Sequence, residues 1–170
     1  MKIIPYVETN GMRSIPDHKM IELYHKMESL GLVEVVFFNG EIDTADKFLF
    51  MMKSHGNVVN VVLDGEDIVF LSWLNTFDVN SAFAHFCAFP EIWGGRAVEV
   101  AQMVIKYWFD FKHNDEYVLD IILGKIPTIN KRAINFIQKV GFTIVGEIPL
   151  LAHGQDKSKR IGDAIAYITR

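Results

Sequence analysis

The chain has 170 residues, of which half are hydrophobic and 22% are charged. This length and composition are typical of one globular domain with a sizeable core, so we expect a single domain over residues 1–170. The net charge of −4 argues against a nucleic-acid partner, which needs a basic surface. No uninterrupted apolar run reaches the ~18 residues of a membrane span, so we do not expect a membrane partner either.

The cysteine content and the first residues indicate where the protein works. Cys87 is the only cysteine, which excludes an intrachain disulfide and any all-cysteine metal site. The opening segment contains Pro5 and Glu8, and its apolar run is too short for a signal peptide. We therefore expect a cytoplasmic location and no bound metal.

Hydrophobic spacing predicts two helices and four strands up to Phe89. A short edge strand is predicted over Ile3–Val7, because Pro5 lacks a backbone donor. Apolar residues at helical spacing predict a helix from Pro16 to Leu30 and a second from Thr44, as its cap, to about Lys53. β-Branched and aromatic runs then predict an antiparallel meander, with turns at Asp64–Asp67 and Asn75–Asn80, over Asn57–Leu63, Ile68–Leu74 and Ala82–Phe89.

The stretch Ser81–Phe111 organises the second half of the chain. It reads as the third meander strand, a loop with Gly94 and Gly95, and a long helix. The helix has one broad apolar face, formed by Ala97, Ala101, Val104, Ile105, Trp108 and Phe111. The remaining elements are a strand, a helix ended by Gly141, and two strands joined by the polar loop His153–Gly162; their predicted ranges are Tyr117–Leu123, Thr128–Val140, Phe142–Leu151 and Asp163–Thr169.

The loop before the long helix has the chemistry of a phosphate site. The first N–H groups of a helix have no intrahelical partner and lie at the positive end of its dipole. Glycine has no Cβ, so a phosphate can approach such a backbone closely. The candidates are Gly94, Gly95, Arg96 and Ala97, with Arg96 adding a charge. The alternative is that the two glycines only let the strand turn into the helix.

The order of elements resembles the GCN5-related N-acetyltransferase (GNAT) superfamily over nearly the whole chain. Two motifs support this resemblance: AFPEIWGGRAVE is similar to the family's pyrophosphate loop, and NKRAINFIQKVGF follows its Asn-x-x-Ala helix ending in Gly-Phe. The resemblance implies an α+β fold with three layers, in which a mixed, mostly antiparallel central sheet has helices on both faces. It also implies acetyl-CoA (coenzyme A) as the cofactor and direct transfer of the acetyl group to an amine of a small molecule or protein.

The resemblance assigns coenzyme contacts to three places. The backbone at Cys87, Ala88 and Phe89 would stabilise the oxyanion, and the loop from Gly94 to Ala97 would bind the pyrophosphate. Asn130 and Ala133 would lie beside the pantetheine arm. Asn130 is also a favoured helix cap, and both roles can coexist.

Two residues are candidates for the catalytic base that takes the proton of the amine. Strand alternation places His85 on one face with Phe83, Cys87 and Phe89, and its alternative role is a core histidine. Asp120 is an isolated charge in the predicted apolar strand beside the coenzyme cleft. Glu91 is a third, weaker candidate.

The thiol of Cys87 invites a covalent mechanism, but its apolar neighbours in sequence favour a small buried residue instead.

The sequence departs from the family pattern at two places. Ile137 occupies the position of a Tyr that protonates the leaving thiolate in many GNAT enzymes, and Ile92 or Trp93 replaces an Arg or Gln of the loop. The segment Trp-Gly-Gly-Arg followed by an aromatic-rich helix looks more like GNAT-like proteins of bacteriophages. A catalytically inactive phage protein with a structural or assembly role, in an infected host cell, is therefore the alternative function. A homodimer is an open alternative to a monomer.

Overall fold

A computed structural model of the protein describes residues 1–154 and 158–170. Its elements are, in chain order, β1 (Lys2–Pro5), β2 (Glu8–Thr9), β3 (Met12–Arg13), α1 (Asp17–Ser29), α2 (Val33–Val36), α3 (Ala45–Met52), β4 (Val58–Asp64), β5 (Asp67–Asp78), β6 (Ser81–Ala88), a 3-10 turn (Pro90–Ile92), α4 (Gly95–Phe109), β7 (Lys112–His113), β8 (Glu116–Tyr117), β9 (Ile121–Pro127), α5 (Lys131–Val140), β10 (Thr143–His153) and β11 (Arg160–Thr169).

Seven of the described strands form one sheet in the order β1-β4-β5-β6-β9-β11-β10. Neighbouring strands are antiparallel except β6 and β9, which run parallel. β1 lies at one edge, as its Pro5 predicted, and β10 lies at the other. The predicted α+β fold with a mixed, mostly antiparallel sheet is therefore confirmed.

Helices α4 and α5 pack on one face of the sheet. The apolar face of α4, which recurs every three to four residues, buries Val100, Ala101, Val104 and Trp108 against strand residues such as Ile122. Burying one such large apolar side chain contributes roughly 1.5–3 kcal/mol to folding. This packing fixes the start of α4 beside the end of β6.

Helices α1 and α3 pack on the other face. Met20 and Tyr24 of α1 and Phe48 of α3 are buried against Leu71 of β5 and Cys87 of β6. Among the described residues, this second cluster contains none from β9, β10 or β11. The helices on this face therefore cover only the β1-to-β6 half of the sheet.

Several predicted boundaries are wrong, among them the helix start at Thr128, since α5 begins at Lys131. β5 continues to Asp78, because β6 pairs with its polar end and pairs Asp78 with Ser81. Phe111 lies beyond the end of α4 and is 59% exposed, so it is not part of the buried helix face. The strand predicted over Tyr117–Leu123 is divided, since Tyr117 pairs in the small β7–β8 hairpin and β9 begins only at Ile121.

Two further differences concern parts that hydrophobic spacing did not predict. The short helix α2 and the β2–β3 hairpin connect predicted elements. The predicted loop His153–Gly162 is shorter, because β10 reaches His153 and β11 begins at Arg160. Its residues 155–157 lie outside the described part of the chain. Within the described part, no helix is long and apolar enough to cross a membrane.

Candidate active site

A cleft opens between the two parallel strands of the sheet. The β6–β9 ladder joins Ser81–Phe83 to Ile121–Leu123 and stops there. Both strands continue, β6 to Ala88 and β9 to Pro127. The cleft is therefore bounded by residues 84–88 of β6 and 124–127 of β9, and it leads toward the start of α4.

The backbone of β6 turns alternate residues toward this cleft. The N–H of Phe89 donates to the carbonyl of Val69 at 3.0 Å, so Phe89 faces β5. The backbone N–H and C=O groups of residues two apart in a strand point the same way, so those of Cys87 also point toward β5. The N–H and C=O groups of Ala88 and Phe86 point toward the cleft. Of the three backbone positions predicted to stabilise an oxyanion, only Ala88 has this direction.

The start of α4 forms an open end to the cleft. Gly94 has φ 89° and ψ −140°, a conformation that only glycine adopts readily, and Gly95 begins the helix. No side chain of the described residues caps this helix, and its first turn carries no acidic residue. A Cβ at Gly94 or Gly95 would meet no heavy atom within 4 Å. The N–H groups of Gly95, Arg96 and Ala97 belong to the first turn of α4, so they have no intrahelical partner and lie at the positive end of the helix dipole.

The side chains around these glycines have other partners. The guanidinium of Arg96 lies 2.9 Å from Asp64 Oδ2, in an exposed ion pair of the kind that contributes little stability. Ile92 is buried at 1% exposure. Trp93 is 56% exposed, and its indole N–H donates to the carbonyl of Ala88 at 2.9 Å. Neither Ile92 nor Trp93 therefore takes the place of a phosphate-binding Arg or Gln.

Asn130 caps α5. Its Oδ1 accepts a hydrogen bond from the N–H of Ala133 at 3.0 Å, which is the local role that the sequence predicted. The contact of Asn130 and Ala133 with a coenzyme stays a prediction. Phe136 of α5 packs edge-on against Phe86 of β6, so α5 is held close to the cleft strand.

His85 shares a face of β6 with Cys87 and Phe89, as strand alternation predicted, and this face is opposite α4 and α5. Its ring stacks on Trp73 at 4.7 Å between centroids, and its Nε2 lies 3.1 Å from Asn75 Oδ1. Because a carbonyl oxygen only accepts, Nε2 is the donor in this arrangement and Nδ1 remains an acceptor. Burial lowers the pKa of His85 to about 4, so the ring is neutral near pH 7.

Asp120 does not lie where the sequence analysis placed it. It precedes β9 and lies at the end of the sheet away from the start of α4, because its neighbour Ile121 pairs with Ser81. Its carboxylate accepts from Asn80 Nδ2 at 2.9 Å and pairs with Arg170, and both contacts lower its pKa. Asp120 therefore ties the chain terminus to the β5–β6 turn and is not beside the cleft.

Glu91 is also engaged. Its Oε1 lies 2.7 Å from Lys26 Nζ, and the hydrogen bond from Lys26 lowers the pKa of Glu91. It stays a weaker candidate.

Cys87 and Ile137 are both buried, at 3% and 6% exposure. Burial raises the pKa of the Cys87 thiol to about 12, so the reactive thiolate is scarce at neutral pH. The Ile137 side chain packs in the core on the α4 side and has no proton to give. The covalent role that the sequence analysis disfavoured for Cys87 gains no support.

On the sheet face that packs against α1 and α3, strands β9, β10 and β11 have no helix over them within the described part of the chain. Together with part of β6, this uncovered surface forms a second wall of the candidate site. Strand registers place its members on one face, because opposite residues in a ladder point the same way. We call this surface the open face; it comprises Phe83, His85, Leu123, Lys125, Ile165 and Tyr167. Lys125 Nζ lies 3.2 Å from Oδ2 of Asp163, which the register places opposite Pro127 on the same face.

Sequence reasoning did not single out Lys125 and Asp163. The predicted strand ended at Leu123, so Lys125 fell outside it, and Asp163 was read only as a strand start. The signal was a charge inside the apolar run Ile121–Pro127, which must be paired or functional when it lies in a sheet.

Comparison with known proteins finds its matches among solved structures. No protein-family model matches the chain, and no curated protein sequence matches it significantly. A spermidine N-acetyltransferase from Vibrio cholerae, solved with CoA and spermine, has a TM-score of 0.72 at 15% identity over 98% of this chain and 95% of that one. The microcin C7 self-immunity acetyltransferase, solved with acetyl-CoA and AMP, has a TM-score of 0.70 at 12% identity over 91% and 89%.

A third neighbour is an acetyltransferase of the GNAT family from Streptococcus pneumoniae, with a TM-score of 0.59 at 12% identity over 99% of this chain and 100% of that one. None of these three is described as a phage protein, so the likeness to phage proteins gains no support. Identities this low show a shared fold. The chain has the GCN5-related N-acetyltransferase fold that its order of elements predicted.

Proposed function

We propose that the protein is an acetyl-CoA-dependent N-acetyltransferase that transfers the acetyl group directly to an amine. The observation that carries this proposal is the cleft between β6 and β9, which leads to an uncapped helix start with two glycines. Fold neighbours solved with CoA or acetyl-CoA support the same coenzyme.

The residues present fit this coenzyme. Its phosphates need N–H donors and room, and the turn Gly94–Ala97 offers both, because no atom lies within 4 Å of a Cβ built at either glycine. The exposed Arg96 can exchange its Asp64 partner for a phosphate, since the pair contributes little. Ala88 and Phe86 offer backbone groups along the cleft for an extended ligand arm.

When bound, acetyl-CoA supplies a thioester carbonyl that an amine attacks. The N–H of Ala88, directed into the cleft, is the donor placed to stabilise negative charge on the carbonyl oxygen. His85, on the open face, is neutral and keeps Nδ1 as an acceptor, so it can take the amine proton directly or through one water. Its low pKa makes it a weak base, which favours onward transfer of the proton to solvent.

A second candidate function is coenzyme binding without catalysis. Ile137 is buried at the position of the family's tyrosine acid, and His85 is a weak base. A protein of this kind would keep the coenzyme contacts and show no transfer. The acceptor is also not indicated by the neighbours, since one was solved with cationic spermine and another with anionic AMP.

Thermal unfolding with acetyl-CoA tests the coenzyme claim. A ligand that binds only the folded state stabilises it by about 2.7 kcal/mol at a hundredfold excess over Kd. For a chain of this size that raises Tm by about 5–10 °C. A transferase then releases free CoA thiol in the presence of amines, whereas a protein that binds the coenzyme without catalysis does not.

Pantetheine, which lacks the phosphates, is the matched control ligand. It should give a much smaller rise in Tm, because it cannot use the N–H groups at the start of α4. Equal shifts with both ligands would place the coenzyme elsewhere. No shift with acetyl-CoA at millimolar concentration would refute the proposed function.

A further inference from the structure

The open face carries an unusual pair of charges. The Asp163 side chain is fully buried, and neither of its oxygens makes a hydrogen bond within the described part of the chain. Lys125 Nζ lies 3.2 Å from Oδ2, close enough for an ion pair although its angles do not meet those of a hydrogen bond. A buried carboxylate without donors is costly, so the fold depends on the nearby ammonium to offset it.

The ammonium of this pair remains accessible. The Lys125 side chain is 41% exposed, whereas Asp163 beneath it is 0% exposed. An ammonium has three N–H donors, and the contact with Asp163 is an ion pair without hydrogen-bond geometry, so it leaves donors of Lys125 available. Asp163 thus restrains Lys125, which presents its remaining donors above the open face.

Lys125 lies level with the candidate base. The ladder pairs Phe83 with Leu123 and then ends, so His85 and Lys125 each lie two residues beyond the last pair, on opposite sides of the cleft. Paired strands lie about 4.8 Å apart, and these two have just ceased to pair. A small molecule with an amine near His85 therefore has Lys125 within its own length.

The rest of the open face carries no competing charge. Among the described residues that the registers of β6, β9, β10 and β11 direct to this face, Lys125 and Asp163 are the only Lys, Arg, Asp or Glu residues. Phe83, Leu123 and Ile165 around them are apolar and half-buried. The exposed acids Glu41 and Asp43 belong to the α2–α3 connection, and Asp43 pairs with Lys47 at 2.7 Å.

We propose that the open face selects acceptor amines that also carry an anionic group, and that Lys125, held by Asp163, binds that group. This inference rests on the proposed function and names the acceptor class of the same site. The shared chemistry is a carboxylate or a phosphate, to which an ammonium donates charge-assisted hydrogen bonds. A polycation such as spermidine would meet like charge at Lys125 and lose affinity.

Matched pairs of acceptors test the proposal in the full-length protein. L-leucine and L-leucinamide differ by the carboxylate, and O-phosphoethanolamine and ethanolamine differ by the phosphate, with spermidine as the cationic probe. Thiol release from acetyl-CoA gives kcat/KM for each. In at least one pair, the anionic member should exceed its partner and spermidine by about tenfold to hundredfold, the range of one charge-assisted contact.

Variants assign the preference to its residue. Lys125→Met should abolish the preference while leaving the acetyl-CoA shift in Tm unchanged, and Lys125→Arg should restore most of it. Asp163→Asn should raise KM severalfold with little change in kcat, because Asp163 acts by positioning Lys125. Lys139→Met, at an exposed lysine of α5, is the matched control and should behave as the wild type.

The outcomes separate the two claims. If acetyl-CoA shifts Tm but neither L-leucine nor O-phosphoethanolamine exceeds both its uncharged-group partner and spermidine, the acceptor class is wrong and the proposed function stands. A preference that survives Lys125→Met overturns the role of Lys125. Absence of the acetyl-CoA shift in the wild type removes the proposed function first, and this inference with it.

Discussion

His85 shows how burial can oppose a chemical role. The ring stacks on Trp73 and its Nε2 lies 3.1 Å from Asn75 Oδ1, so two residues of β5 hold it in place. The same burial lowers its pKa to about 4, so it stays neutral but binds a proton weakly. A transferase that uses His85 would therefore depend more on orientation than on basicity.

We expect His85 to make the protein less stable in weak acid. The unfolded state binds a proton with a pKa near 6.5 and the folded state only near 4, so the unfolded state holds more protons between these values. The free energy of unfolding should fall by about 3 kcal/mol from this residue as the pH drops from 6.5 to 4. In His85→Gln, urea unfolding at several pH values should lack this loss.

Carboxylates contribute equally to the wild type and to His85→Gln, so the difference between the two proteins reports on His85. The pKa values of Asp17 and Asp120 lie below their usual 3.8, so their stabilising contributions are lost only as the pH falls below the His85 range. His18→Gln, at an exposed histidine of α1, controls for the substitution itself. An acid sensitivity of His85→Gln equal to that of the wild type between pH 6.5 and 4 would refute the buried neutral state.

At the scale of elements, the two glycines at the start of α4 are expected to affect stability and ligand binding separately. Gly94 and Gly95 are adjacent but differ, since only Gly94 has a positive φ. Gly94→Ala should lower the free energy of unfolding by about 1–3 kcal/mol through backbone strain. Gly95→Ala should cost no stability, because alanine suits a helix better by up to about 1 kcal/mol.

Gly95→Ala is expected to weaken ligand binding and not to lower the stability of the protein. Helical Cβ atoms tilt toward the N-terminus, so a methyl group at position 95 would project into the open end of the cleft. We expect Gly95→Ala to weaken acetyl-CoA binding tenfold or more while Tm without ligand is kept. Calorimetric titration measures both variants, with Gly56→Ala in a distant loop as control. Unchanged affinity in Gly95→Ala would show that this end does not hold the phosphates.

The elements that the sequence predicted well are those with strong local signals. Thr44 begins α3 and accepts from the N–H of Lys47 at 3.3 Å, and Asn130 caps α5. Both follow from side chains that bond their own backbone. The predictions failed where residues distant in the sequence determine the local structure. β5 extends because β6 pairs with it. Asp120 leaves the predicted strand because Asn80 and Arg170 bind it.

At the scale of the whole molecule, one sheet serves two cores. Trp108 is buried among α4 and its strands, whereas Trp73 is buried on the opposite face with α1 and α3. Strands β4, β5 and β6 contribute side chains to both clusters. Unfolding of either core therefore exposes strands that also form the other core, so the stabilities of the two cores are coupled.

We expect the two cores to unfold in one transition. In the double variant Trp93→Phe, Trp108→Phe, fluorescence reports only Trp73; in Trp73→Phe, Trp93→Phe, it reports only Trp108. Within each variant, the urea midpoint by fluorescence should coincide with that by far-ultraviolet circular dichroism. Midpoints that differ within a variant would mean that the two faces unfold separately.

The sequence by itself determined the order of elements, the helix caps, the faces of β6 and the glycine loop, because each depends on spacing or on neighbours along the chain. The tertiary structure decided where those pieces meet. It separated β6 from β9 after three paired residues, removed Asp120 from the cleft, and brought Lys125 and Asp163, 38 positions apart in the numbering, to the face that His85 shares. Strand pairing brings distant residues together, and no local pattern encodes which strand a charged residue will lie beside.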